Sequence, residues 1–134
     1  MTPFPLKIVT PDGLLYDGEA EELVVRTTGG DVAILARHIN YVAPLGMGRA
    51  VVVTNGERRA AACIGGMLSV VNGEVTLVPT TFEWADQIDA ARAEASYQRA
   101  DKVLHDQNAS GTDIALAEAR LHRALVRKSV ASYK

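Results

Sequence analysis

The chain of 134 residues contains a single cysteine, Cys63, which excludes an internal disulfide. Flanked by Ala60-Ala61-Ala62 and Ile64, it reads as a small buried hydrophobe, and a reducing compartment suits it. Aromatic residues make up only 5% of a chain that is 48% apolar, so Val, Leu, Ile and Ala have to build the core. No apolar run approaches the ~20 residues that span a bilayer. The stretch Met1-Thr2-Pro3-Phe4-Pro5 lacks the basic and apolar blocks of a signal peptide. A formal net charge of −2 gives no general attraction to nucleic acid or to an anionic membrane. Catalytic patterns are missing too. Neither glycine-rich phosphate loop occurs, and no His or Cys cluster has metal-ligand spacing. His38, His105 and His122 are isolated, and Ser69 has no nucleophile elbow around it. A chain of this kind is expected to carry no catalytic machinery of its own.

What is present divides in two, at a change of period near residue 85. Residues 4–80 read as short β-rich runs separated by turn signals. The runs are 4–10, 14–16, 22–27, 31–35, 49–54, 58–64, 67–71 and 74–79. They are punctuated by Pro11-Asp12-Gly13, Thr28-Gly29-Gly30, Asn55-Gly56, Gly65-Gly66 and Asn72-Gly73. Each Asn-Gly pair is a strong two-residue hairpin signal. Eight to ten strands in 80 residues suggest a β-sandwich or a flattened barrel. From Asp86 onward there is no proline, Gly111 is the only glycine, and Ala, Arg, Glu, Gln and Leu dominate. One helix is expected over 89–106 with Asp89 as N-cap, and a second from 113 to about 130 with Thr112 as N-cap. The short reversal at 107–112 makes the two antiparallel neighbours. The fold class is therefore α+β, with a sandwich domain at 1–85 and a helical hairpin domain at 86–134.

The hairpin's apolar stripes are thin. Ile88, Ala91, Ala95, Val103 and Leu104 are expected to share one, and Ile114, Ala117, Leu121, Ala124 and Leu125 the other. A methyl group contributes little docking energy, at ~0.8 kcal/mol per buried methylene. Alanine keeps a helix helical without a partner. Such helices suit a mobile element, and a stable hairpin is equally compatible with them.

Charge is uneven. Residues 1–85 hold nine acids and six bases, whereas 114–134 hold one acid, Glu118, and five bases: Arg120, Arg123, Arg127, Lys128 and Lys134. The last helix is a basic rod, which is either a solvated face or a contact surface. Arg92 and Arg99 are seven apart on the first helix, and Arg123 and Arg127 four apart on the second, so each pair shares a face. Folding the hairpin over would gather four guanidinium groups whose rigid forks suit phosphate oxygens. Salt bridges within and between the helices are the commoner use of such residues. Glu83 and Asp89 stand beside this set, to balance charge or to contact a base or ribose.

These motifs carry a resemblance. The chain is similar, over essentially its whole length, to the epsilon-subunit family of bacterial F-type ATP synthases. The resemblance rests on Lys7-Ile8-Val9-Thr10-Pro11-Asp12-Gly13 with Tyr16-Asp17-Gly18, and on Gly30-Asp31-Val32-Ala33-Ile34-Leu35 with His38. Gly65-Gly66-Met67-Leu68 and Ile88-Asp89-Ala90-Ala91-Arg92-Ala93 complete it, the latter in the pattern of ATP-binding members. It implies a ten-stranded sandwich followed by two helices. It also implies a non-catalytic place in the rotor stalk, where the sandwich contacts the gamma subunit and the polar loops of the c-ring. Asp31 and His38 would lie in that stalk-contact region. Arg37 and Asn40-Tyr41 depart from the family pattern there.

The resemblance further implies that the hairpin inhibits ATP hydrolysis when extended toward the alpha/beta head, through Arg120, Arg123, Arg127 and Lys128. It implies that the folded hairpin binds ATP as a regulatory ligand, with or without magnesium. The residues matching that ATP pattern are Glu83, Ile88, Asp89, Arg92, Ala93, Arg99, Arg123 and Arg127. The location implied is the cytoplasmic face of the cell membrane, reached only through the complex. A purely structural coupling subunit that senses no nucleotide is the alternative. Nucleic-acid binding by the basic helix is disfavoured, because the β-domain lacks aromatic platforms.

Overall fold

The computed structural model describes residues 1–133 and divides into two compact units, one spanning Met1–Trp84 and the other running from Ala85 onward. The first unit is all β. Its strands are β1 (Phe4–Thr10), β2 (Gly13–Ala20), β3 (Glu22–Thr27), β4 (Gly30–Ile34), β5 (Tyr41–Pro44), β6 (Met47–Thr54), β7 (Glu57–Val71) and β8 (Glu74–Trp84). They follow the order β2-β1-β8-β7-β6-β3-β4, with β5 also on β7. All pairings are antiparallel except β1 with β8, where Leu6, Lys7 and Ile8 oppose Val75, Thr76 and Leu77 in parallel.

Eight strands stand where ten are expected, because β7 joins two runs, 58–64 and 67–71, and β8 continues unbroken from Glu74 to Trp84. Gly65 and Gly66 sit at φ +68° and +100°, a region closed to most side chains. The chain bends there without losing its partner, since Ile64 still faces Thr81 and Gly66 faces Pro79. Each half of β7 then serves a different layer. The first half pairs with β6, the second with β5. Likewise the first half of β8 pairs with β1. Counted as half-strands, β7 and β8 restore ten segments in two layers of five.

The layers enclose a core of Leu6, Ile8, Leu23, Val25, Leu68, Val70 and Leu77, with Phe82 and Trp84 in edge-to-face contact at 5.0 Å. Alternation along β1 and β3 directs every second residue into this core. The turns Asn55-Gly56 and Asn72-Gly73 have positive φ at both positions (51°/79° and 49°/82°), the geometry that two-residue hairpins require. β5 forms where no run is expected, and β2 and β8 extend past the expected 14–16 and 74–79, to Ala20 and Trp84.

The second unit consists of a short 3-10 turn at Ala85–Gln87, then α1 (Ala90–Leu104) and α2 (Gly111–Ala131). Asp89 caps α1 by accepting the Arg92 amide at 3.0 Å. The cap of α2 is Ser110, two residues before the expected Thr112. Ser110 Oγ accepts the Asp113 amide at 3.1 Å while the Asp113 carboxylate accepts the Ser110 amide at 3.3 Å. This reciprocal box satisfies two otherwise orphaned donors, which a lone Thr112 would not do.

The buried stripes also shift. Ala93 and Ala100 are buried on α1, and Ala117, Ala124, Val126 and Val130 on α2, while Ala91 and Ala95 are exposed and Leu125 is 44% exposed. With alanine at 90, 91, 93, 95 and 100, periodicity alone does not select a face. Among the described residues no helix is long and apolar enough to cross a membrane.

Candidate functional site

Within the helical unit a cleft of about 580 Å³ opens between α1 and α2. Its floor includes the small residues Ala100 and Ala117, and its walls carry Arg99 from α1 and Arg120, Arg123 and Arg127 from α2. The helices thus bring together three of the arginines expected from sequence, Arg99, Arg123 and Arg127, and add Arg120. Alanines at the seam let the helices approach closely while the long arginines rise around the opening. Among the described residues, the guanidinium groups of Arg99, Arg120 and Arg123 make no ion pair or hydrogen bond. Four arginines against two lining carboxylates, Asp106 and Asp113, leave a net positive field that favours an anion. The arrangement can bind phosphate oxygens through paired N–H donors.

The other expected ligands are not among the residues that line this cleft. Ile88 is half-buried just before α1, Asp89 is occupied as its cap, and Arg92 is exposed one turn into it. Ala93 is buried. Glu83 is in β8, in the sandwich unit, and is half-buried.

On the facing side of the hairpin, Lys128 bridges to Glu94 at 2.5 Å and stands 4.3 Å over the ring of Tyr97. The Lys128 ammonium and, next, the Gln98 amide hold the Glu94 carboxyl below the ordinary glutamate range. Lys128, expected as a contact of the inhibitory helix, is here a clasp between the helices.

In the sandwich unit, Asp31 accepts a forked pair of bonds from Arg26, at 3.0 Å and 3.4 Å. His38 Nδ1 lies 2.8 Å from the Ile39 carbonyl, and its ring meets Tyr41 edge-on at 5.8 Å. Asp31 is near the start of β4 and His38 is in the loop beyond its end. That loop is tied down, since Asn40 Oδ1 accepts the Asn72 amide at 2.8 Å.

A surface the sequence reading missed lies on the outer face of the sheet. Pro44, Met67 and Val78 are cross-strand neighbours, flanked by Val42 and Val71. The four apart from Pro44 are 42–63% exposed. The available signal was the unbroken apolar character of Val70-Val71 and Leu77-Val78, where a one-sided strand would alternate. Burial pushes the Cys63 thiol up to about 12, which makes it inert. No group of acids, His or Cys able to hold a metal occurs among the described residues.

A β-sandwich followed by an alanine-seamed helical pair with an arginine-lined cleft defines a two-domain α+β protein. Family models for the ATP synthase delta/epsilon chain match it in both parts, the β-sandwich domain over residues 3–85 and the long α-helix domain over 86–132. Curated relatives agree. An ATP synthase epsilon chain of Ruminococcus albus is 40% identical over 100% of both chains. One from Bacillus velezensis is 40% identical over 98% of both. Among solved structures, a chain in the Euglena gracilis mitochondrial ATP synthase has the same fold, with a TM-score of 0.85 at 19% identity, covering 96% of this chain and 81% of that one. The chain belongs to the ATP synthase delta/epsilon family and is a non-catalytic member of it.

Proposed function

We propose that the chain is an epsilon-type subunit of the central stalk of an F-type ATP synthase, and that its hairpin regulates ATP hydrolysis by binding ATP. The carrying observation is the cleft in which Arg99, Arg123 and Arg127 converge without a carboxylate partner for the first two. Full-length similarity to epsilon chains supports the stalk role. In this reading the apolar row at Pro44, Met67 and Val78 and the loop at His38 provide protein contacts, to the gamma subunit and to the polar loops of the c-ring. The protein reaches the cytoplasmic face of the membrane through those partners. Asp31, already paired with Arg26, presents a partly neutralised carboxylate to that interface.

ATP stabilises the closed hairpin, because its phosphates bridge arginines of both helices. Opening the pair separates Arg99 from Arg123 and Arg127 and dissolves the site. The freed face of α2, with Arg120, Arg123, Arg127 and Lys128, then meets acidic segments of the alpha/beta head. A ligand shifts such an equilibrium only by its differential affinity for the two states. Glu83, Ile88, Asp89, Arg92 and Ala93 complete the proposed ATP contacts, and whether magnesium accompanies the nucleotide is read from the same titration with and without the ion. A purely structural role is the second reading, favoured by the Lys128–Glu94 bridge, in which a base of α2 serves only to join the helices. Titration of the protein with ATP separates the two: saturable binding supports sensing, and its absence at millimolar ATP leaves the structural role.

A further inference from the structure

The cleft holds one arginine, Arg120, that the family pattern for ATP does not include. Arg120, Arg123 and Arg127 stand at i, i+3 and i+7 of α2 and line the same opening as Arg99. At ~1.5 Å of rise per residue, Arg120 and Arg127 span about 10 Å along the helix. That row is longer than one phosphate group and matches a chain of them. The two acids at the loop end of the cleft offset only half of the charge of its four arginines. Asp106 accepts the Asn108 amide at 2.9 Å and Asp113 is held in the Ser110 box, so both carboxylates are anchored at the turn. Arg120 itself has no ion pair or hydrogen bond from its guanidinium among the described residues.

We propose that Arg120 is an additional phosphate-binding residue of the cleft, reached by a polyphosphate chain and not by a single phosphate group. The proposal rests on the ATP-binding reading for the nucleoside part of the ligand only. The arginine row requires a polyphosphate and is indifferent to the base.

The test is calorimetric titration of the full chain with ATP, ADP, AMP and inorganic tripolyphosphate, comparing the unaltered protein with Arg120→Ala and Arg120→Gln. Far-UV circular dichroism establishes that each variant is folded, and the glutamine variant keeps chain length and helix propensity should the alanine variant fail. Either variant is expected to weaken ATP and tripolyphosphate by about tenfold or more, the worth of one charge-assisted bond. Its effect on AMP is expected to be markedly smaller. Equal loss for ATP and AMP, or unchanged ATP affinity, overturns the assignment of Arg120. Binding of tripolyphosphate without ATP, with the loss in the variants, supports Arg120 and removes the nucleotide reading. ATP binding indifferent to both variants does the reverse. Binding of none of the four ligands overturns both.

Discussion

The bend at Gly65-Gly66 lets one strand serve two layers, and replacing Gly66 by alanine tests how much of the sandwich depends on it. Two costs combine at this position. The backbone has φ +100°, where a side chain costs about 1–2 kcal/mol. In addition, an added Cβ would lie 2.0 Å from the Val78 carbonyl oxygen and 2.6 Å from Pro79 Cα. Both atoms belong to the backbone of the paired strand, so relief requires parting β7 from β8. Overpacking of this kind costs about 1–3 kcal/mol. The sum, about 2–5 kcal/mol, is a large share of the ~5–15 kcal/mol by which domains are stable. Gly73→Ala is the control. Its φ is +82° and nothing lies within 4 Å of its added Cβ, so it carries the backbone cost alone. Urea unfolding followed by fluorescence of Trp84, the single tryptophan, reports on the sandwich through its contact with Phe82. With a slope of ~1–3 kcal/mol/M, the overpacking cost of about 1–3 kcal/mol is expected to lower the Gly66→Ala midpoint by about 0.3–3 M beyond that of Gly73→Ala. Equal midpoints for the two variants would refute the close approach and the continuous β7.

Two further outcomes concern the hairpin. Ser110→Ala removes the capping box and is expected to cost about 1 kcal/mol of hairpin stability, whereas Thr112→Ala stays within about 0.5 kcal/mol; thermal unfolding of the two variants checks the order. Glu94 titrates below the ordinary glutamate range because of Lys128 first and Gln98 second. A depressed carboxylate contributes stability above its unfolded pKa, and that contribution disappears as pH falls through the folded value. Carbon-13 NMR titration should show Glu94 returning toward the ordinary value in Lys128→Met. An unchanged titration would show that the bridge does not form in solution.

Much of the fold was legible because local chemistry and global architecture agree. The Asn-Gly pairs announce their hairpins and adopt positive φ at both residues. The loss of glycine and proline after Asp86 marks the passage from strands to helices. The misread features have local causes. A Gly-Gly pair usually ends a strand, and only the paired register of Gly66 with Pro79 shows β7 passing through. Ser110 and Thr112 are both good caps by type, and the reciprocal bond from Asp113 decides between them. Alanine-rich sequence leaves the buried helix face undetermined until the seam at Ala93, Ala100, Ala117 and Ala124 is seen.

The site was legible in part for a similar reason. Helical spacing puts Arg120, Arg123 and Arg127 on one face, but only the register between helices sets them around one cleft with Arg99 and assigns Lys128 to Glu94. The apolar row at Met67 and Val78 was hidden because both faces of those strands are apolar, so alternation gives no direction.

The central claim is that the arginine-lined hairpin is a nucleotide sensor. It is tested most directly by following the amide and guanidinium NMR signals of Arg99, Arg123 and Arg127 while ATP is added to the full-length protein. Saturable shifts at all three arginines, lost in Arg123→Ala, are the expected result. Unmoved signals at millimolar ATP, with the hairpin folded, would contradict it.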